Sequence, residues 1–295
     1  MDAKVKDKIL TGVLYAVTFF IVALLVALIG YILFKGKGFL KPSFLFGSAK
    51  FGEAGGGIGP QLFNSFYMLI VALIISIPFG IGGGIYLAEY AREGKLLNMI
   101  RLCIETMSSL PSIVVGLFGL LIFVNMTGWG FTMLSGALAI SILNLPALTR
   151  VSENAIRTAS IPVKEASLGL GATRWQTISK VVLPSAIPQI LTGIILTAGR
   201  IFGEAAALLY TAGMSAPKLN FSYVSLIDNG SAFSLMRPAE TIAVYIWKLN
   251  SEGMVPDAAQ IANKASAVLV IMVLLFNFLA RVLGRKIYES YTGKK

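Results

Sequence analysis

The chain has 295 residues, of which 56% are hydrophobic and 13% are charged, and its mean hydropathy is +0.78. Soluble domains carry about 25% charged residues, so this composition excludes an ordinary soluble domain and indicates a membrane protein. The net charge is +11, but the basic residues flank apolar segments and do not alternate with aromatic ones, which argues against nucleic-acid binding. One cysteine and no histidine leave no Cys/His metal set, no intrachain disulfide and few groups for enzyme chemistry.

Six apolar stretches approach or exceed the roughly 20 residues that a membrane-spanning helix needs. We therefore predict an all-α integral membrane protein with six transmembrane helices, at about 9–34, 62–90, 104–126, 131–149, 185–211 and 265–283. The first is apolar on all sides and is expected to face lipid. Glycines inside the second to fifth spans predict close helix packing. The fourth span is short, and Pro146 near its end predicts a bend or an early stop.

Lys and Arg near the span ends predict the orientation. Basic residues cluster before the first span, between the second and third, between the fourth and fifth, and after the sixth, which places both termini in the cytoplasm. Lysines on the first outer loop depart from this rule. The predicted divisions are residues 1–61 (first span and outer loop), 62–288 (a core of five spans) and 289–295 (a cytoplasmic tail). The core includes a cytoplasmic loop at about 151–184 and an outer segment at about 212–263, in which Ala239 to Leu249 predict a short amphipathic helix.

The loop between the fourth and fifth spans has the pattern of two short helices joined by glycine. Pro162 favours a helix start, Glu165 suits its first turn, and Gly171 offers a backbone position open to positive φ. Thr173 fits the N-cap of a second amphipathic helix, which Pro184 is expected to stop. This pattern alone favours an interfacial connector without a partner.

The same loop resembles a known motif. The matching positions are Glu165, Ala166, Ser167, Gly171, Val181, Leu183 and Pro184, which resemble the EAA loop of ABC importer permeases, with Ser167 in place of the second alanine. In that family the loop is a cytoplasmic coupling helix that docks on a separate ATPase. The chain has no Gly-x-x-x-x-Gly-Lys-Ser/Thr phosphate loop, so we expect ATP and Mg to be bound by the partner ATPase, and we expect no cofactor on this chain.

The fifth span contains two charged residues, Arg200 and Glu204, and charges in a membrane span are costly enough to suggest a function. A separation of four residues predicts that both lie on one helix face. We expect Arg200 to offer its forked donors to a tetrahedral oxyanion, with Glu204 holding it in place. The alternatives are a structural ion pair that joins two helices, or a pair close enough to the outer surface to be in contact with water.

The segment from Arg200 to Leu209 resembles the Arg-x-x-Gly-Glu-Thr-Ala-Pro-Leu-Leu segment of PstA-type permeases of the phosphate ABC transporter. Pro111 to Gly119 and Tyr86 to Tyr90 are similar to the same family, whereas Ala205 and Ala207 replace its Thr and Pro. The resemblance implies a type I ABC importer permease fold in the plasma membrane and import of inorganic phosphate. It also implies a PstC-type sister permease, two copies of the ATPase and an external phosphate-binding protein.

Two other functions remain open from the residues. Arginine binds any tetrahedral oxyanion, so molybdate, sulfate or a phosphonate could be the substrate of such a permease. An ion-coupled secondary transporter could also use the Arg200 and Glu204 pair, although the loop motif would then have no role. Of the remaining charges, Glu105 is expected to pair with cytoplasmic bases, whereas Arg237 and Glu89 are expected to be solvated. The alternative for Arg237 is contact with the external binding protein or with phosphate.

Overall fold

The computed structural model describes residues 3–50, 53–161, 163–253 and 255–292, and within them the chain is helical with no β-strand. The helices of this described part are, in chain order, α1 (Ala3–Lys35), α2 (Pro42–Leu45), α3 (Gly59–Tyr90), α4 (Lys95–Ser108), α5 (Ser112–Met126), α6 (Met133–Ser160), α7 (Lys164–Gly169), α8 (Arg174–Gly203), α9 (Ala206–Leu209), α10 (Ile242–Glu252) and α11 (Ala258–Thr292). The prediction of an all-α protein is confirmed.

Five helices of the described part are long and apolar enough to cross a membrane: α1, α3, α6, α8 and α11. The span predicted at 104–126 differs, because α4 and α5 meet at an angle of 97° and form a sixth crossing only as a bent pair. The break falls at Pro111, whose backbone is extended with ψ of 136°. A proline disfavours helical conformation in the residue before it, so one continuous helix is interrupted here.

Pro146 was expected to bend a helix or stop it early, and Pro184 was expected to stop one, but neither proline ends its helix. Pro146 is buried inside α6, which continues to Ser160, because neighbouring helices and side chains in a packed membrane bundle compensate for the hydrogen bond that proline removes. Pro184 lies just after a wide π turn in which the Leu183 N–H donates to the carbonyl of Ile178, and α8 continues to its end at residue 203. The wider turn carries the backbone past the carbonyl with which proline would collide.

The core lies where α3, α6 and α8 meet, and it includes buried Met68, Ile140 and Phe202. In contrast, no residue of the crossing part of α1 is buried against the rest of the chain, which agrees with a lipid-facing helix. The predicted short helix in the outer segment is confirmed as α10, where the Thr241 side chain caps the first turn by accepting from the Val244 N–H.

Glycine allows α3 and α6 to pack closely. A Cβ at Gly80 would lie 2.7 Å from Leu148 Cδ2, and a Cβ at Gly84 would lie 2.5 Å from Ser152 Cβ. Backbones approach this closely in membranes only where small residues face each other. The predicted close packing of the second and fourth spans is therefore confirmed.

This contact can be tested with a matched pair of substitutions in α3. Gly84→Ala forces its methyl group into Ser152, so we expect a loss of about 1–3 kcal/mol in stability. Gly82→Ala meets nothing within 4 Å and is expected to be neutral or to gain up to about 1 kcal/mol from helix propensity. The measurement is the thermal unfolding midpoint of the detergent-purified chain. Equal shifts for the two variants would contradict the close contact.

Candidate functional site

A polar face runs along α8 and is not covered by the rest of the chain. Its exposed side chains are Ser185, Gln189, Thr192, Leu196 and Arg200, which we call the polar face of α8. They recur every three or four residues and therefore share one side of the helix, while the opposite side, with Ala186, Ile190 and Ala198, is buried. Polar side chains inside a span are unfavourable against lipid, so this face is suited to a water-filled path or to another polypeptide.

Arg200 and Glu204 do not share a helix face, and that prediction is wrong. α8 ends at Gly203, and Glu204 has an extended backbone with ψ of 128°. The Glu204 carboxylate instead accepts a hydrogen bond from the Ala207 N–H at 3.3 Å, at the start of α9. No ion pair joins the two residues within the described part of the chain. Arg200 is exposed in the last turn of α8, where the helix dipole favours a positive charge.

The loop after α6 has the predicted form of helix, glycine turn and helix. α7 ends in a turn in which Gly171 has φ of +84°, a conformation that favours glycine. Thr173 then forms a capping box with Gln176 at the start of α8, and the hydroxyls of Ser167 and Thr177 lie 2.9 Å apart across the turn. Pro162 lies outside the described residues. We call residues 164–177 the elbow segment, and the end of the bundle that carries it the elbow end.

The elbow segment has apolar side chains that the rest of the chain does not cover. Leu170 is 90% exposed and Trp175 is 58% exposed, and Glu165 and Ala166 are exposed beside them. Leu183 and Pro184, further along the motif, are half-buried and contribute to the base of the segment. Exposed large apolar side chains grouped with a carboxylate are typical of a protein interaction surface.

The partners of two acidic residues at the elbow end were only partly predicted. Glu105 lies 3.0 Å from Arg150 in an exposed ion pair, so its expected pairing with a base is confirmed. Glu89 was expected to be solvated, and that is wrong. It is 3% exposed, and its Oε2 lies 2.6 Å from Lys164 Nζ. The two residues are separated by 75 positions, so only the tertiary fold brings them together.

Arg237, at the opposite end of the bundle, was expected to be solvated or to meet an external partner, and both expectations are wrong. It is 1% exposed. Its guanidinium donates to the carbonyls of Ala232 and Pro238 and, at 2.8 Å, to Asn64 Oδ1. Burial lowers the pKa of Arg237 to about 10, which leaves it charged at neutral pH. No local pattern in the irregular segment before Arg237 indicates this burial.

Glu240 connects two helices at the same end of the molecule as Arg237. Its carboxylate accepts from Gln61 Nε2 at 2.8 Å and lies 3.3 Å from Lys248 Nζ, and its carbonyl accepts from Asn64 Nδ2. These bonds join the start of α3 to α10 through residues 237–240. We call the bonded residues, Gln61, Asn64, Arg237, Glu240 and Lys248, the polar cap. Burial raises the pKa of Glu240, although the hydrogen bond from Gln61 and the charge of Lys248 oppose the change.

The raised pKa predicts how stability depends on pH. A carboxyl with a higher pKa in the folded than in the unfolded chain stabilises the fold most below its ordinary pKa of 4.5, and this contribution is lost as pH rises through the folded pKa. We therefore expect the unfolding midpoint of the wild type, relative to Glu240→Gln, to rise as pH falls from neutral toward 4.5.

The control is Glu165→Gln, because Glu165 is exposed and lies in the elbow segment, at the opposite end of the bundle from Glu240. Its difference from the wild type should change little over this pH range. Parallel curves for the wild type and Glu240→Gln would contradict the shifted pKa of Glu240.

A family model described as "Binding-protein-dependent transport system inner membrane component" matches residues 80–290, which is well over half of the chain. The chain is 52% identical to the "Probable ABC transporter permease protein YqgI" of Bacillus subtilis (strain 168), over 99% of this chain and 100% of that protein. It is 35% identical to the "Phosphate transport system permease protein PstA" of Yersinia pestis, over 79% of this chain and 74% of that protein.

Among solved structures, a chain of a bacterial alginate ABC transporter aligns with a TM-score of 0.65 at 16% identity, over 96% of each chain. A chain of the MetNI methionine ABC transporter aligns with a TM-score of 0.56 at 20% identity, over 78% of this chain and 94% of that one. At these identities the likeness establishes the fold alone, which is the type I ABC importer permease fold. The chain thus belongs to the binding-protein-dependent transport system inner membrane component family, as a multi-pass permease subunit of an ABC importer.

Proposed function

We propose that this chain is a PstA-type permease subunit that carries inorganic phosphate into the cell. The observation that supports this most is Arg200, a cation inside a membrane span that is exposed on the polar face of α8 and has no ion-pair partner within the described residues. Leaving a charge in a span without a partner is costly unless water or a substrate meets it. A guanidinium offers two parallel donors that match two oxygens of a tetrahedral anion.

The local structure keeps Arg200 available. Glu204 is held by the N–H of Ala207, a bond that the proline usual at that position in PstA-type permeases could not donate. The carboxylate therefore does not neutralise Arg200 in this conformation. A single arginine at a wet position binds an anion weakly enough to release it, which transport requires.

The proposed partners follow from the two ends of the bundle. The elbow segment docks on an ATPase, which binds ATP and Mg, while this chain binds no cofactor. The elbow end faces the cytoplasm because Lys and Arg concentrate there, and both termini lie on that side of the plasma membrane. A PstC-type sister permease covers the polar face of α8, the complex contains two copies of the ATPase, and an external phosphate-binding protein meets the polar cap.

The role of Arg200 is tested by Arg200→Gln in the complete transporter. Hydrogen bonds to a charged group contribute about 1.5–3 kcal/mol, so we expect phosphate uptake to fall by about ten- to a hundredfold. Assembly with the ATPase should be unchanged, because Arg200 is exposed and stabilises no contact within the described chain. The measurement is uptake of labelled phosphate by cells, with co-purification of the ATPase measured in parallel.

The control is Arg285→Gln, which removes an arginine that is 81% exposed and paired with Glu289 at 2.7 Å, and uptake should remain normal. Excess sulfate, molybdate or phosphonate should not compete with phosphate in the wild type. Strong competition by one of them would assign the chain to that oxyanion. Normal uptake by Arg200→Gln would remove Arg200 from the pathway.

The docking role of the elbow segment is tested at its glycine turn. Gly171 has φ of +84°, and a side chain in this conformation costs about 1–2 kcal/mol before any β-branching is considered. We expect Gly171→Val to distort the turn and to reduce co-purification of the ATPase strongly. The chain should still insert into the membrane, because the spans are unaffected.

Gly94→Val provides the control outside the elbow segment. Gly94 has an extended backbone, and a Cβ there meets nothing within 4 Å, so the ATPase should still co-purify. Normal recovery of the ATPase with Gly171→Val would show that the elbow is not needed for docking.

A further inference from the structure

The elbow segment is attached to the last turn of α3 by two contacts between side chains. Lys164 Nζ, at the start of α7, lies 2.6 Å from Glu89 Oε2. The guanidinium of Arg174, at the start of α8, lies over the ring of Tyr90 with 4.9 Å between the guanidinium carbon and the ring centroid. The two helices on either side of the glycine turn are therefore both held by consecutive residues of α3.

The last turn of α3 has an unusual form. Residues Tyr86–Tyr90 form a π turn, and the N–H of Ala91 donates to the carbonyl of Tyr86. Isolated π turns occur frequently at functional sites. Within this turn Leu87 and Glu89 are buried, whereas Tyr86 and Tyr90 are exposed.

The contact between Glu89 and Lys164 differs from a surface ion pair because the Glu89 side chain is buried. Its side chain is 1% exposed while that of Lys164 is 33% exposed, and its second carboxylate oxygen has no hydrogen-bond partner among the described residues. Removing the partner of a buried charge is far more costly than removing that of an exposed one. The nearby exposed pair of Glu93 and Arg157, separated by 3.4 Å, therefore provides a natural comparison.

Movement of the elbow segment would reach α3 and α6 together. α6 ends at Ser160, four residues before α7, so it is joined to the elbow by the chain itself. α3 is joined to it through Glu89 and is also packed closely on α6, where a Cβ at Gly84 would lie 2.8 Å from the backbone nitrogen of Glu153. The polar face of α8 continues directly from the same segment.

We propose that Glu89 is a positioning residue that transmits ATPase-driven movement of the elbow segment to the transmembrane bundle through Lys164. This rests on the proposed docking of the elbow segment on the ATPase. The ion pair makes α3 follow α7, so the path along α8 opens and closes with the ATPase. Without the pair, the ATPase still docks and hydrolyses ATP, but the bundle follows it less completely.

The test uses the full transporter with Glu89→Gln and a reporter cysteine at Gln189, on the polar face of α8, in a Cys103→Ser background. The rate of maleimide labelling at the reporter is measured with and without ATP, alongside ATP hydrolysis and co-purification of the ATPase. In the parent the labelling rate should change with ATP. In Glu89→Gln this change should fall at least about fivefold, the lower range of energetic coupling between sites, while ATP hydrolysis continues.

Two further variants separate coupling from folding. The charge exchange Glu89→Lys with Lys164→Glu should restore the ATP-dependent change, and Glu93→Gln should leave it intact. A normal response of Glu89→Gln, or no recovery in the exchanged pair, would overturn the proposal. Loss of ATPase co-purification in Glu89→Gln would also overturn it, because the residue would then serve assembly only.

The readout needs no transported substrate, so it is independent of the phosphate assignment. If phosphate uptake fails in the wild type while the reporter responds to ATP, the proposed substrate is wrong and the role of Glu89 stands. If the ATPase does not co-purify with the wild type, the proposed docking is wrong, and the role of Glu89 is overturned with it.

Discussion

Close contact between α3 and α6 is the constraint on which both ends of the molecule depend. Lipid gives helices no hydrophobic reason to associate, so they must be held by packing and polar bonds. Gly80 and Gly84 permit this packing along the elbow-end half of α3. That geometry places the last turn of α3 against the elbow segment, and it leaves the first two turns to bind the polar cap through Gln61 and Asn64. One helix pair therefore positions the groups on both sides of the membrane.

Two arginines show how the same side chain serves opposite purposes. Arg237 is buried, and its donors are met by the carbonyls of Ala232 and Pro238 and by Asn64, so its charge stabilises the polar cap and is unavailable to a ligand. Arg200 is exposed and has no ion-pair partner in the described chain. The difference arises from the backbone around each. The segment at 232–238 folds over Arg237, whereas α8 ends three residues beyond Arg200 with its side chain directed away from the core.

The sequence predicted the features that depend on local chemistry. Hydropathy located five of the six predicted spans as single helices. Gly171 with Thr173 predicted the elbow, because positive φ and N-capping are properties of single residues and their neighbours. It did not predict Glu89, Arg237 or Glu240 as buried charges, since their partners are distant in the chain and no pattern links them. Prolines were also ambiguous: a helix is interrupted at Pro111, where proline disfavours helical conformation in the preceding residue, whereas it continues through Pro146, which is buried in the packed bundle.

The arrangement of Glu204 bears on why a lone arginine is tolerated in a span. If Glu204 had continued α8, the carboxylate would have reached Arg200 and offset its charge, and an anion would have had to displace it. The helix instead ends at Gly203, and the N–H of Ala207 donates a hydrogen bond to the Glu204 carboxylate. Arg200 is then left to the dipole at the end of α8 and, under the proposed function, to water or a bound anion. The same polar face carries Ser185, Gln189 and Thr192 toward the elbow end, so the proposed path would continue along the helix that the ATPase is proposed to move.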